Sequence, residues 1–397
     1  MQYVKLKKIV DLKQGLAINS KSNHLVVNYE TKLPLLRIAD MQTNRKVVFM
    51  DEKTPEKFWA SENDIIYTRT GKVGLVFRKQ KGVVHNNCFR VIPKNDKELD
   101  RNYLFWVLNL KSIYDYANTI AAGVAQPDLP HDSFKTIKIP LFDVNYQHKI
   151  VELLDSYDNL IEINNRRIKI LEQMAENLYK EWFVRFRFPG HENVEFVDGV
   201  PKGWTFKRIE KIGKVVAGGT PSTNVNEYWN GSVPWLTPAD LSNYDGIYIK
   251  NGSTNISELG LKKSSAVLLP ANTVLLSSRA PIGYVALAKQ PITTNQGFKS
   301  VVCNEKIVNC YYLFYFFKMN RSLLESFGSG ATFLELSAKG LSRVKILVPS
   351  INIQKEFGSI IKKVAEKIDN FQLQNQNLIK QRDYLLPRLM SGKLQVK

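Results

Sequence analysis

Residues able to carry acid–base, nucleophilic or metal chemistry are few in this chain and unevenly placed. All five histidines, His24, His85, His131, His148 and His191, precede residue 200. Three cysteines, Cys88, Cys303 and Cys310, are scattered, with no CxxC or HxxxH spacing. That excludes a disulfide framework and argues against a structural zinc site. No GxxxxGK[ST] phosphate loop exists. The stretch "GSGATFLELS" at 328–337 starts like a dinucleotide fingerprint, but Phe333 stands at the third glycine position. An Asn or Asp followed by two prolines and an aromatic is absent, and no acidic pair followed by Lys stands out on a strand. Two lone carboxylates remain, Asp128 in "AAGVAQPDLP" at 121–130 and Glu335 in the later stretch. Each reads as a structural hydrogen-bonding group. Asp40 and Asp240 read as turn or cap residues. The expectation is a chain with no catalytic residues and no metal.

Those two similar stretches belong to a longer internal repeat. "KKI" at 7–9 matches "KRI" at 207–209, and "PLLRIADM" at 34–41 matches "PWLTPADL" at 234–241. "DIIYTRTGKVG" at 64–74 resembles "TVLLSSRAPIG" at 273–283, which sets Arg69 opposite Arg279. "NNCFRVIP" at 86–93 answers "NQGFKSVV" at 295–302, and "YLFWVLN" at 103–109 answers "YLFYFFK" at 312–318. Gly123 then falls opposite Gly330, "IKIP" opposite "VKILVP", and Gln147 opposite Gln354. A histidine base should recur in each half of a duplicated enzyme, and none does. The short apolar runs "DIIYTR", "VGLVFR" and "TVLLSS" read as strands, and "YLFWVLNL" and "YYLFYFFKMN" as buried helices.

After each mixed segment comes a long amphipathic one. Ile150, Leu154, Tyr157, Ile161, Asn164, Ile168, Leu171, Ala175, Leu178 and Trp182 alternate steps of four and three, a heptad seam. Phe357, Ile361, Val364, Ile368, Phe371, Asn375, Leu378, Arg382, Leu385 and Leu389 repeat it, with Pro387 expected to end or kink the helix near Leu385 or Leu386. Each helix has one apolar stripe and needs a partner. The second must run back along the first, so they pair antiparallel. Full overlap sets Asn164 against Asn375, and these amides are expected to fix the register; the alternative is an edge position for one or both. The fold class is therefore α+β, with two similar mixed α/β domains separated by two long helices that pair as an antiparallel coiled coil. The boundaries fall at 1–145, 146–188, 189–352 and 353–397.

The chain carries 56 Lys+Arg against 37 Asp+Glu, a net charge of +19. That excess favours a polyanion, above all nucleic acid. No apolar run is long enough for a signal peptide or membrane span, so a cytoplasmic location is expected. DNA contacts need Lys, Arg, amides and backbone N–H groups. In "AGGTPSTNVNEYWNG", Thr220, Ser222, Asn224, Tyr228 and Trp229 are candidates, with glycines that let backbone approach DNA; the same Tyr and Trp could instead pack internally. Arg69 and Arg279 follow strands and either contact DNA or form ion pairs. Lys72, Asn295 and Gln296 complete the set, although "TTNQGF" also reads as a turn. The apolar ends "EWFVRFRFPG" and "RLMSGKL" suggest docking surfaces, or packing onto the chain's own domains.

The repeated "G…L…IP…Q" entry into a long helix resembles the specificity subunit of type I restriction–modification systems. Gly123, Leu129, Ile139, Pro140 and Gln147 carry it first; Gly330, Thr332, Leu336, Pro349 and Gln354 carry it again. "GGTPSTNVNEYWNGSVPWLTPADL" at 218–241, "SSRAPIG", "LYKEWF" and "LLPRLMSGKL" are similar to that family as well. The first half departs from it, with "GLAINSKSN" at 15–23 in place of the GGTPS stretch. The resemblance implies a non-catalytic subunit whose two target-recognition domains each read half of a split, asymmetric double-stranded DNA site. It implies that the helices set the spacer and dock two methyltransferase subunits, which bind S-adenosylmethionine. Motor-nuclease (restriction) subunits can join. The chain itself needs no cofactor. The competing reading is a stand-alone bipartite DNA-binding regulator with no methyltransferase partner.

Overall fold

The computed structural model describes every residue except 124, 243, 245, 280, 331–333 and 397. Thr332 and Phe333 therefore lie outside the described residues. The chain divides into two compact units, Met1–Glu162 with Gln376–Lys397, and Ile163–Asn375. Each unit contains part of both long helices, Val144–Tyr179 and Ile351–Met390.

In the first unit an antiparallel sheet has the order Val10–Gln14, Cys88–Pro93, Ile65–Thr68, Val76–Phe77. A smaller sheet places Gly82–Val84 between Leu35–Leu36 and Trp59–Ala60. The opening strand Gln2–Lys5 pairs with the closing strand Lys138–Leu141. The second unit has the same plan. Its larger sheet runs Gly213–Ala217, Lys299–Cys303, Val274–Ser278, Ile282–Ala288, Tyr248–Ile249, and its smaller one centres on Trp229–Leu236. Thr205–Arg208 and Lys345–Val348 close it.

The apolar runs form helices because nearly every side chain finds a core. Tyr103 to Leu108 of Arg101–Leu108 are all buried, as are Tyr311 to Phe317 of Cys310–Met319. Asp100 and Asn309 cap these helices by accepting from backbone N–H groups of Tyr103 and Tyr311. The "IP…Q" motif now has a physical reason. The Gln147 amide is fully buried; it accepts from the Asp100 N–H at 2.8 Å and donates to the Glu98 and Phe142 carbonyls at 2.8 Å. Gln354 does the same with the Asn309 N–H at 2.9 Å and the Ile307 and Pro349 carbonyls. One side chain thus ties the start of the long helix to the cap of the buried helix, in both repeats.

The long helices run antiparallel within each unit. In the first, the Asp158 carboxylate accepts from Arg382 at 2.6 Å, and Ile150 and Leu154 share a core with Leu386, Leu389 and Met390. Arg382 can occupy a seam position because Asp158 neutralises it. In the second, Trp182 and Tyr179 pack on Phe357, while Ile168 and Leu171 join Ile361, Val364 and Ile368.

Three expectations are narrowed or corrected. Of the two outcomes expected at Pro387, an end near Leu385 or Leu386 does not occur: the helix continues through Pro387 to Met390. Burial of Leu386, Leu389 and Met390 holds that last turn despite the missing N–H. Of the two readings of the apolar ends, packing onto the chain's own units applies to Trp182, Phe183 and Phe188 in the second unit and to Leu389 and Met390 in the first, while Val184 and Leu394 stay exposed. And "KKI" does not match "KRI". Leu6 N–H donates to Ile137 as Ile209 N–H donates to Val344, so Ile9 corresponds to Ile212.

Replacing Gln354 with Leu strands one N–H and two carbonyls in the interior. An unfolding titration should show a loss of at least about 2 kcal/mol, with an equal effect for Gln147→Leu.

Candidate nucleic-acid interface

In the first repeat, strand Ile65–Thr68 delivers Arg69 to Asp128. The guanidinium donates through Nε at 3.0 Å and through a terminal nitrogen at 2.6 Å, a two-pronged clamp, and also to Gln14 Oε1 at 3.2 Å. The Thr70 hydroxyl donates to the same carboxylate. Asp128 is held below the ordinary carboxylate range, chiefly by the Arg69 hydrogen bonds. Ala122 and Asp128 exchange backbone hydrogen bonds at 2.8 Å, closing a loop in which Gly123 takes a left-handed conformation (φ 88°). Ser329 and Glu335 close the equivalent loop, with Gly330 at φ 128°. Ser329, Gly330 and Glu335 of "GSGATFLELS" therefore sit at a loop edge.

The two arginines are not counterparts. Backbone bridges join Thr70 to Asp128 and Arg279 to Glu335. The Thr68 hydroxyl donates to the Lys72 carbonyl as the Ser277 hydroxyl donates to the Pro281 carbonyl. Arg279 thus matches Thr70, and Arg69 matches Ser278. Likewise Ser278 N–H donates to Gly297 where Arg69 N–H donates to Asn87, so the pairing of 86–93 with 295–302 is also one residue out. Aligning like residues hid these slips, because the hydrogen-bond frame, not residue identity, is what the repeats share. Glu335 is instead held by Lys299, at 3.3 Å, whose ammonium also donates to Ser278 Oγ and the Gln296 carbonyl. Arg279 has no hydrogen bond or ion pair from its guanidinium among the described residues, whereas Arg69 is committed. Lys72 is exposed and donates to Gln42 Oε1 at 2.9 Å. Lys299, Thr70 and Gln14 were not singled out in the sequence. The one available signal was a lysine on the otherwise apolar strand "FKSVV".

The 218–229 segment is folded onto its own unit. The glycines make room for the unit's own backbone: a Cβ on Gly218 would lie 2.0 Å from the Asn295 carbonyl oxygen, and one on Gly219 2.3 Å from the Ser265 carbonyl carbon. Trp235 Nε1 donates to the Gly219 carbonyl at 3.0 Å. Trp229 packs edge-on against Trp235, 5.1 Å between centroids, and donates its indole N–H to the Ser222 carbonyl at 3.1 Å. The half-buried Tyr228 accepts from the Ser257 N–H through its carbonyl. Asn295 is half-buried and its Oδ1 accepts from the Gly297 N–H at 2.9 Å, making a turn. Ser222, Asn224 and Gln296 are exposed, and Thr220 donates its hydroxyl to Gln296 Oε1. The exposed polar edge therefore comprises Ser222, Asn224, the Thr220–Gln296 pair and, from a neighbouring strand end, Arg279.

On the long helices, Asn164 and Asn375 are 5% and 8% exposed. Asn164 Nδ2 donates to Asn375 Oδ1 at 3.0 Å, and Asn375 Nδ2 donates to Asn165 Oδ1 at 2.8 Å. Among the described residues there is no grouping of His, Cys, Asp and Glu that could hold a metal ion, and no helix long and apolar enough to cross a membrane.

Comparison with known proteins places this architecture. The type I restriction modification DNA specificity domain matches residues 1–173 and 201–381. The chain belongs to that family and carries two copies of its domain; it is a DNA-recognition subunit rather than a catalytic one. It is 41% identical over 201 residues to the type I restriction enzyme MjaIX specificity subunit of Methanocaldococcus jannaschii, a match covering 50% of this chain and 46% of that one. It is 25% identical to the HindI specificity subunit of Haemophilus influenzae, over 84% of this chain and 87% of that one. The fold is similar to the crystal structure of a type I restriction–modification S subunit from M. genitalium, at TM-score 0.59 and 18% identity, covering 98% and 96% of the two chains.

The two arginines should respond differently to truncation. Arg69→Ala releases the Asp128 clamp and should lower the thermal midpoint, with little loss of that effect in salt-free buffer. Arg279→Ala should leave the midpoint unchanged and weaken binding to one half-site, by about 1–3 kcal/mol if it reads a base. Because the folded Asp128 carboxyl lies below its unfolded value of about 3.9, its contribution is complete above that pH and is lost as pH falls through the folded value. Asp128→Asn should therefore flatten the acid limb of the stability profile below about pH 4, measured by acid unfolding.

Proposed function

We propose that each recognition unit reads one half of a split, asymmetric DNA site, and that the paired helices set the number of base pairs between the halves and dock two methyltransferase subunits. The observation that carries this reading is a duplicated frame whose surface edges have diverged. The same loop carboxylate is gripped by Arg69 in one repeat and by Lys299 in the other, and among the described residues the Arg279 guanidinium has no ion pair. Two copies of one scaffold with different edges suit two different half-sites. Polar contacts from Thr220, Ser222, Asn224, Arg279 and Gln296 are proposed for the second half-site; Lys72 and the Arg69–Thr70 edge are proposed for the first. Tyr228, Trp229 and Asn295 are proposed to shape the edge from behind.

The buried amides Asn164 and Asn375 are proposed to fix the register of the helices, as a polar pair does in an apolar seam. S-adenosylmethionine would be bound by the methyltransferase subunits and not by this chain. Motor-nuclease subunits would join for cleavage, and the complex would act in the cytoplasm.

Mapping methylated bases genome-wide with and without this chain tests the reading. One split motif should disappear on deletion. Exchanging residues 200–350 with those of a relative should change one half of the motif and leave the other intact. Loss of a continuous, unsplit motif would contradict it.

A further inference from the structure

Beneath the exposed polar edge of the second unit lies a covered charge. Lys299 is 8% exposed, so its ammonium faces protein and is not offered to a duplex. Its three donors meet three acceptors: the Glu335 carboxylate at 3.3 Å, Ser278 Oγ at 3.3 Å and the Gln296 carbonyl at 3.1 Å. These acceptors lie on three separate segments, and each adjoins an exposed group. Gln296 is itself exposed and accepts from the Thr220 hydroxyl. Ser278 immediately precedes Arg279, and the Glu335 backbone bridges to Arg279. Ser278 Oγ also donates to the Gly297 carbonyl at 3.0 Å, which ties the strand end to the turn a second time.

The first repeat shows which part of this arrangement the fold needs. Ala217 pairs with Lys299 as Gln14 pairs with Phe89, and Leu336 N–H donates to Ser278 as Leu129 N–H donates to Arg69. Lys299 thus corresponds to Phe89, Gln296 to Asn86, Ser278 to Arg69 and Ala217 to Gln14. The sheet accepts an apolar side chain at the lysine's position, since Phe89 is fully buried there. In the first repeat the work of Lys299 is divided between two residues. Arg69 grips Asp128, and Gln14, from the neighbouring strand, donates to the Asn86 carbonyl. Both repeats therefore hold the loop carboxylate and the carbonyl of the same turn residue, with different side chains. A covered ammonium costs desolvation that a phenyl ring does not. It joins turn, strand end and loop at one point, and it leaves position 279 to an arginine with no ion pair among the described residues.

We infer that Lys299 is a positioning residue for the second half-site. It touches no DNA itself; it fixes the backbone at Gln296 and Arg279 so that their side chains meet base edges in one geometry. The inference rests on the proposed reading of DNA by this edge and names the group that holds the edge in place.

The test uses the co-expressed complex and synthetic duplexes carrying the mapped motif, or that motif with one base pair changed. The ratio of the two affinities is the discrimination at that position. Gln296→Ala and Arg279→Ala locate the positions read by this edge. Lys299→Met should lower discrimination at those positions by about tenfold. It should leave discrimination in the first half-site and the salt slope of binding unchanged. Combined with Gln296→Ala, it should add no further loss at the Gln296 position, because the two act as one unit. Glu335→Gln, which keeps the side chain's shape and removes the ion pair, should give the same pattern at smaller size, and it decides alone should Lys299→Met fail to fold. Unchanged discrimination, or an equal loss on every duplex, overturns the inference and leaves Lys299 a structural residue. A shallower salt dependence also overturns it and makes Lys299 a phosphate contact. If Gln296→Ala and Arg279→Ala themselves change no discrimination, the proposed edge is wrong and the role of Lys299 falls with it, a result distinct from failure of the lysine variant alone.

Discussion

An amide in an apolar helix seam is tolerated only where another amide meets it. Asn164 donates to Asn375 Oδ1 at 3.0 Å, and Asn375 donates in turn to Asn165 Oδ1. Sliding one helix by a heptad would set one of the two amides against an aliphatic side chain, Asn164 against Ile368 or Asn375 against Leu171, and strand its donors, at a cost of about 1–3 kcal/mol per group. The leucines and isoleucines of the seam discriminate far less between registers, since one aliphatic contact resembles the next. The apolar seam provides association, and the amide pair is proposed to provide the definition that a spacer of unique length needs.

Each recognition domain is fastened to its long helix by another buried amide. Gln147 and Gln354 each bridge the entry to a long helix and the cap of the aromatic-rich helix beneath the sheet. No change of helix direction is possible without breaking three hydrogen bonds in a site closed to water. The loops beyond this frame are free to vary. Asp128 and Glu335 hold the same place, and their cations come from different strands. A carboxylate constrains the charge beside it more tightly than the position from which that charge arrives. The frame can thus be kept while the exposed edge is rebuilt.

Much of this was legible in the sequence because it depends on periodicity and burial. The heptad steps located both helices, and every seam position from Ile150 to Trp182 is buried or half-buried. The duplicated "IP…Q" marked a structural joint before its hydrogen bonds were visible. What misled was residue likeness at short range. Arg69 and Arg279 look equivalent, as do the "NNCF" and "NQGF" stretches, but a one-residue slip in a strand alters which face a side chain takes. Sequence spacing also could not show that Gly218 and Gly219 are filled by neighbouring backbone, or that Trp182, Phe183, Leu389 and Met390 are consumed by the cores. Those facts depend on tertiary neighbours far along the chain.

Paired helices of defined register are proposed to set the separation of two half-sites. Inserting one heptad into each long helix at opposed positions preserves the seam and lengthens it by about 10 Å, equivalent to roughly 3 base pairs of duplex. Methylated sites in cells carrying this variant should keep both half-sites, with the interval between them longer by about that amount. An unchanged interval, or an altered half-site sequence at the old interval, would contradict it.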